Sequence, residues 1–192
     1  NKPFEIHLNE VSKKAKYDSV IASYPINLKV TTSWDEFIQT SNSALVLNGD
    51  SANLGIPSKV VDAVVTDPPY FDFIHYSELS DFFFAWLAPV LSDKYAFFAK
   101  SDSQHDGEVQ SKHPDIFAVN LGRVFSESHR VLKDDGLLVF SFHHSRAEGW
   151  LLIYKSLSYS GFHVVAIYPV YAEMKGSTTK SGTKEPISVD II

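Results

Sequence analysis

Val60-Val61-Asp62-Ala63-Val64-Val65-Thr66-Asp67-Pro68-Pro69-Tyr70 is the stretch of this 192-residue chain whose reading decides the fold. Val60 to Thr66 is short, apolar and rich in β-branched side chains, the pattern of a strand buried in a parallel sheet. Two successive prolines cannot extend a ladder, because neither has an N–H to donate. The strand must therefore stop at Asp67. Each proline also restricts the residue before it to extended backbone, so the carbonyls here point in fixed directions. The result is a stiff corner at the carboxyl end of a strand, the end at which open α/β sheets bind ligands.

That corner offers a carboxylate (Asp67), a constrained carbonyl (Pro68) and an aromatic ring (Tyr70), with Phe71 adjacent. The set suits a flat base with an exocyclic amino group. Such an amine is a poor nucleophile because its lone pair is delocalised into the ring. Two acceptors that take its N–H bonds favour a tetrahedral nitrogen and free the pair. Tyr70 and Phe71 could stack on the base face. A base inside a duplex would first have to be flipped out.

Asp67-Pro68-Pro69-Tyr70 resembles the catalytic tetrapeptide of the amino-group DNA methyltransferases. Asn48-Gly49-Asp50-Ser51 upstream and Arg130-Val131-Leu132-Lys133-Asp134-Asp135-Gly136-Leu137-Leu138-Val139 downstream resemble further segments of that superfamily. Gly161 to Val165 and Glu185 to Asp190 resemble the end of a group of large adenine-specific DNA methylases. The similarity spans Ala44 to Ile192. It implies a Rossmann-like α/β methyltransferase fold with a mostly parallel sheet and a C-terminal antiparallel hairpin. It also implies S-adenosyl-L-methionine as methyl donor and adenine N6 in double-stranded DNA as acceptor. Asp67, Pro68, Pro69 and Tyr70 would be catalytic, with Asp67 also bordering the cofactor and Asp50 near its adenosine. Tyr70 and Phe71 would bind the base. Cytosine N4, an RNA base or a protein amide would need the same acceptors, so these alternatives stay open.

One part of the family's pattern is missing. A glycine-rich turn normally holds the methionine end of the cofactor, but the glycines here are isolated, with no G-x-G between a strand and a helix. The chain starts at Asn1 and ends in the apolar run Ile187 to Ile192, so a piece of a longer protein is expected. A missing part of the polypeptide would then complete the cofactor site, and this piece alone would be inactive. A scaffold or nucleic-acid-binding module without catalysis is the competing reading.

Composition sets the bounds. Hydrophobic content of 44% and aromatic content of 14% suit a single folded domain with a sizeable core. No run approaches a membrane span, no signal-peptide pattern is present, and a cytoplasmic setting is expected. Cysteine is absent, which excludes disulfides and the thiolate that C5-cytosine methylation needs. A net charge of −6 opposes nucleic-acid binding unless basic residues are concentrated locally or the DNA-gripping parts lie in the missing portion.

The remaining segments are read around the corner. Residues 1–43 are poorly defined, with a cluster at Lys13, Lys14 and Lys16 that reads as a solvated face, and Trp34 to Ile38 could form a short helix. Ala44 to Leu47 reads as a strand. Asp50, just beyond it, is either a cofactor contact or a turn aspartate. Tyr70 to Tyr76 is aromatic and would line the pocket. Helices are predicted at Ser77 to Leu91, Pro114 to Leu132 and Ala147 to Ser160. The apolar stripe of the first (Leu79, Phe82, Phe83, Trp86, Leu87, Val90) reads as core, and Pro89 should disturb or end it. Lys100 to Pro114 reads as a mobile connector. Asp135-Gly136 should turn the chain into a strand at Leu137 to Phe142, parallel to the first. His143-His144 at its end suits packing behind the site, since further ligands for a metal are not evident. Val164 to Tyr171 and Ile187 to Ile192 read as paired strands around a loop whose Lys175 and Lys180 could meet phosphates.

Overall fold

Val61–Thr66 forms a strand in the computed structural model of the protein, which describes residues 28–72, 74–171 and 189–192. The chain divides into two compact units, residues 1–48 and 49–192.

In the first unit, strands β1 (Lys29–Thr31) and β2 (Ser43–Leu45) pair in parallel and are joined through helix α1 (Trp34–Gln39). Ser33 caps α1, its hydroxyl oxygen accepting the Glu36 N–H at 3.3 Å, and Asp35 and Glu36 complement the helix dipole. The buried Thr31 hydroxyl donates to the Ala44 carbonyl at 3.2 Å.

The second unit carries β3 (Val61–Thr66), α2 (Tyr76–Leu91), a 3-10 turn (Ala96–Ala99), α3 (Pro114–Val131), β4 (Leu132–Phe140), α4 (Ala147–Tyr159), β5 (Pro169–Tyr171) and β6 (Val189–Ile191). β3 and β4 are parallel, with Ala63 opposite Leu137 and Thr66 opposite Phe140. The register slips between Val61, opposite Leu132, and Ala63, so Lys133 to Gly136 bulge out of the ladder. The expected turn at Asp135-Gly136 is thus a bulge within a strand. Lys59–Asp134 and Lys133–Asp62 ion pairs tie it across to the β3 side.

β5 and β6 form the expected antiparallel pair, shorter than predicted. Phe142 and Ile191 exchange backbone hydrogen bonds at 2.9 and 3.1 Å, which brings β6 beside the end of β4. The three sheets of the described residues are two-stranded. The architecture is mixed α/β.

The core sits where α3 and α4 pack together and against the strand ends. Phe117, Leu121 and Phe125 of α3 meet Leu152, Ile153 and Leu157 of α4, with Phe71 and Phe142 closing the cluster. The buried Ser156 hydroxyl donates to the Ala118 carbonyl at 3.0 Å, linking the two helices. α3 begins with Pro114 and Asp115 and ends with His129 and Arg130, an order that suits its dipole. α4 ends in a Schellman motif: Gly161 has φ of 82°, and the N–H groups of Phe162 and Gly161 donate to the carbonyls of Leu157 and Ser158.

Helix α2 ends at Leu91, as its sequence predicts, with Pro89 in its last turn. Its apolar stripe, however, is not core. Leu79, Phe82, Phe83, Trp86, Leu87 and Val90 are all exposed, and Phe84 is the helix's one buried residue. Periodicity identifies an apolar face, but the partner that covers such a face is a tertiary matter. No helix of the described residues is long and apolar enough to cross a membrane.

Candidate active site

The parallel register sets the geometry of the corner. With Thr66 opposite Phe140, the residues that follow, Asp67 and Ser141, leave the same end of the sheet side by side. The Ser141 N–H donates to the Thr66 carbonyl at 3.3 Å, and the Ser141 hydroxyl donates to Asp67 Oδ1 at 2.7 Å. The Tyr70 hydroxyl lies 3.4 Å from the same oxygen. Asp67 is exposed and takes no part in the ion pairs among the described residues. An exposed carboxylate held by neutral hydroxyls keeps acceptor capacity for an incoming donor.

Pro68 is buried, and Pro69 and Tyr70 are half-buried. The Tyr70 ring meets the Phe142 ring edge-on, with centroids 5.4 Å apart. Phe71 is corrected from the expected role. At 2% exposure its ring lies in the core against Phe117, with no face left for a base. Of the two expected stacking rings, Tyr70 alone reaches the surface.

The corner is held from behind by His144. Its Nε2 lies 2.7 Å from the Phe71 carbonyl, and its Nδ1 lies 3.1 Å from the Arg146 N–H. A carbonyl can only accept, so Nε2 donates to Phe71, while Nδ1 lies 3.1 Å from the Arg146 carbonyl as well as from its N–H. The imidazole stacks on Phe142, and the Trp150 indole N–H donates to the His144 carbonyl at 2.9 Å. Past Phe71 the chain turns through Asp72, whose φ of 48° is uncommon for a residue with a side chain. An Arg146–Asp72 ion pair of 3.1 Å spans that turn.

Tyr76 joins the corner from the first turn of α2. Burial pushes its phenol above the ordinary range, a hydrogen bond from the Tyr70 backbone opposes this, and the nearby Asp67 charge raises it further. The phenol therefore stays protonated through neutral pH. His75 caps α2 without a side-chain bond. Gln110 secures the helix start in its place, its Oε1 accepting the Tyr76 N–H at 2.9 Å and its Nε2 donating to the Ile74 carbonyl. The connector expected to be mobile is also tied to α2 through Ser103, whose N–H and hydroxyl donate to Asp81 at 2.7 and 2.6 Å.

Asp50 forms a turn. Its Oδ1 accepts the Ala52 N–H at 2.8 Å, and its carbonyl accepts the Asn53 N–H. Of the two roles the sequence left open, this local geometry is that of the turn aspartate. Lys175 and Lys180 lie outside the described residues. Of the predicted site residues, the structure brings together Asp67, Pro68, Pro69 and Tyr70. It adds Ser141 and Gln110, which sequence reasoning missed, and Tyr76, the last residue of the aromatic run Tyr70 to Tyr76 that reads as pocket lining. Ser141 lies inside the stretch read as a strand at Leu137 to Phe142, and that strand's parallel placement beside the one ending at Asp67 was its one legible signal. A depression of about 530 Å³ between α2 and the 3-10 turn is lined by Phe84, Pro89, Phe98 and Lys100, among others, and includes no corner residue. Comparison of the chain with family models, curated proteins and solved structures finds no match.

Proposed function

We propose that the corner at the end of β3 receives the exocyclic amino group of a flipped base. On this reading the chain carries the catalytic segment of a Rossmann-like, S-adenosylmethionine-dependent methyltransferase acting on adenine N6 in DNA. One observation carries the reading: an exposed carboxylate, fixed by a neighbouring hydroxyl, stands at the carboxyl end of a parallel strand, with the hydroxyl of the half-buried Tyr70 3.4 Å from it.

Asp67 and the Pro68 carbonyl would each accept one N–H of the amine. Tyr70 would stack on the base. Acceleration would come from orientation and fixed dipoles. S-adenosylmethionine, when bound, supplies a methyl group on a sulfonium. The described residues fit the amine better than they fit this donor. Asp50 commits one carboxylate oxygen to its own turn, and the isolated glycines make no cradle for a methionine end. Residues outside those described would complete the donor site, and the acceptor side is where this chain acts.

The test is methyl transfer by the intact protein from radiolabelled S-adenosylmethionine to duplex DNA, followed by nucleoside analysis. Label should appear in N6-methyladenine and vanish in Asp67→Ala and Tyr70→Ala, with unchanged circular dichroism. Undiminished transfer by both variants would refute the assignment. Label in N4-methylcytosine or RNA would keep the corner's role and change its substrate.

A further inference from the structure

A carboxylate that must meet an amine at a set angle cannot be left to rotate. Asp67 sits on the exposed end of β3, where solvent alone would let its side chain sample several rotamers. Two features restrain it. The Ser141 hydroxyl approaches to 2.7 Å, the distance of a charge-assisted hydrogen bond. Ser141 is itself held, because its N–H is bonded to the Thr66 carbonyl at the end of the β3–β4 ladder. Its backbone is thus tied to the residue directly before Asp67. Phe142, the next residue, is buried and exchanges two backbone hydrogen bonds with Ile191. Ser141 therefore lies between two anchored points and presents its hydroxyl from a fixed base.

Both restraints act on the same oxygen. Ser141 at 2.7 Å and the Tyr70 hydroxyl at 3.4 Å each face Oδ1. The two carboxylate oxygens are consequently unequal, and Oδ2 is the one left to an incoming N–H. The Tyr70 ring is held edge-on to Phe142, the neighbour of Ser141, so the stacking surface and the acceptor are positioned by one short segment, residues 141–142.

We propose that Ser141 is a positioning residue for Asp67: its hydroxyl holds Oδ1 and so directs Oδ2 at the substrate amine. The proposal rests on the reading of Asp67 as the amine acceptor. It extends that reading to the adjacent strand and assigns different roles to the two oxygens. Removing the hydroxyl leaves every group that touches substrate in place and frees only the angle. The loss should then fall on kcat and spare KM, since misplacement of a reacting group weakens the transition state more than ground-state binding.

Two measurements on the intact protein test this. In the methyl-transfer assay, Ser141→Ala should lower kcat by about tenfold to a hundredfold with KM changed less than about threefold, and Ser141→Thr, which keeps the hydroxyl, should recover most of the rate. A Thr variant as slow as Ala, or a loss carried by KM, overturns the proposal. The second readout does not depend on catalysis. Three-bond couplings about the Asp67 Cα–Cβ bond should report one rotamer in the parent protein and averaging in Ser141→Ala. Averaging already present in the parent overturns the positioning role, whatever the assay shows. A single rotamer lost in Ser141→Ala, in a parent that methylates nothing, upholds the Ser141–Asp67 link and overturns only the functional reading of the corner.

Discussion

Gly149 shows how tightly the back of the corner is packed. A Cβ built there would overlap the His144 ring, whose Nε2 and Nδ1 are both engaged and whose carbonyl holds Trp150. Gly149→Ala should destabilise the protein by about 1–3 kcal/mol through overpacking. The gain of about 1 kcal/mol from replacing a helical glycine offsets only part of this, because the ring is buried and cannot swing away without breaking its bonds. Urea unfolding measures the change, and an unchanged or higher midpoint would show that His144 yields freely. At this scale the sequence was uneven. Asp67 to Tyr70 was legible because prolines dictate backbone direction locally. Phe71 was misread because an aromatic next to a site looks the same whether it faces in or out. Ser141 was overlooked because its role exists only once the register of two distant strands is known.

At the scale of elements, the helices were legible and their fastenings were not. α3 appeared within a residue of its predicted span, but its last turn does more than end a helix. Glu127, buried, accepts the Leu54 N–H at 2.8 Å and pairs with Arg130, whose guanidinium donates to the Ile56 carbonyl at 2.8 Å. The loop leading into β3 is thereby pinned to α3. Hydrogen bonding from Arg130 holds the Glu127 carboxyl below its ordinary range, burial opposes this, and the Leu54 N–H and Arg130 charge add to the lowering. A group with a depressed folded-state pKa contributes stability above its unfolded value of about 4.3 and loses it as pH falls through the folded value. Stability should therefore decline with acid across this window, and Glu127→Gln should flatten the slope. Urea midpoints measured from neutral pH down to about pH 3 follow it, and parallel slopes would mean the pair is idle. Gln110 is a second fastening. Gln110→Ala leaves the Tyr76 N–H and the Ile74 carbonyl without their side-chain partner, so the first turn of α2 should exchange its amides faster and stability should fall by about 1 kcal/mol. Hydrogen exchange at Tyr76 unchanged from the parent would show that water serves as well. Neither fastening follows from periodicity, because each joins a side chain to backbone far away in sequence.

On the scale of the whole molecule, the described residues expose apolar surface out of proportion to the core they form. Trp86 is 73% exposed and Val65 is 77% exposed, and Leu79, Phe82, Phe83 and Val90 stand out from the same helix as Trp86. Parallel sheets are ordinarily covered on both faces, yet Val65 and Leu137, from neighbouring strands of the β3–β4 pair, are both open. The sequence could not reveal this: strand and helix patterns state which faces are apolar, and only assembly decides which are buried. Clusters of this kind recruit other apolar surfaces. The isolated chain should therefore bind an environment-sensitive hydrophobic dye strongly and self-associate as its concentration rises. Replacing Phe82 and Trp86 together by lysine should lower both the dye signal and the association several-fold while far-ultraviolet circular dichroism stays constant, because neither side chain belongs to the core. If the double variant instead lost its helical signal, these rings would be supporting the fold, and the exposed face of α2 would have to be redrawn as an interior one.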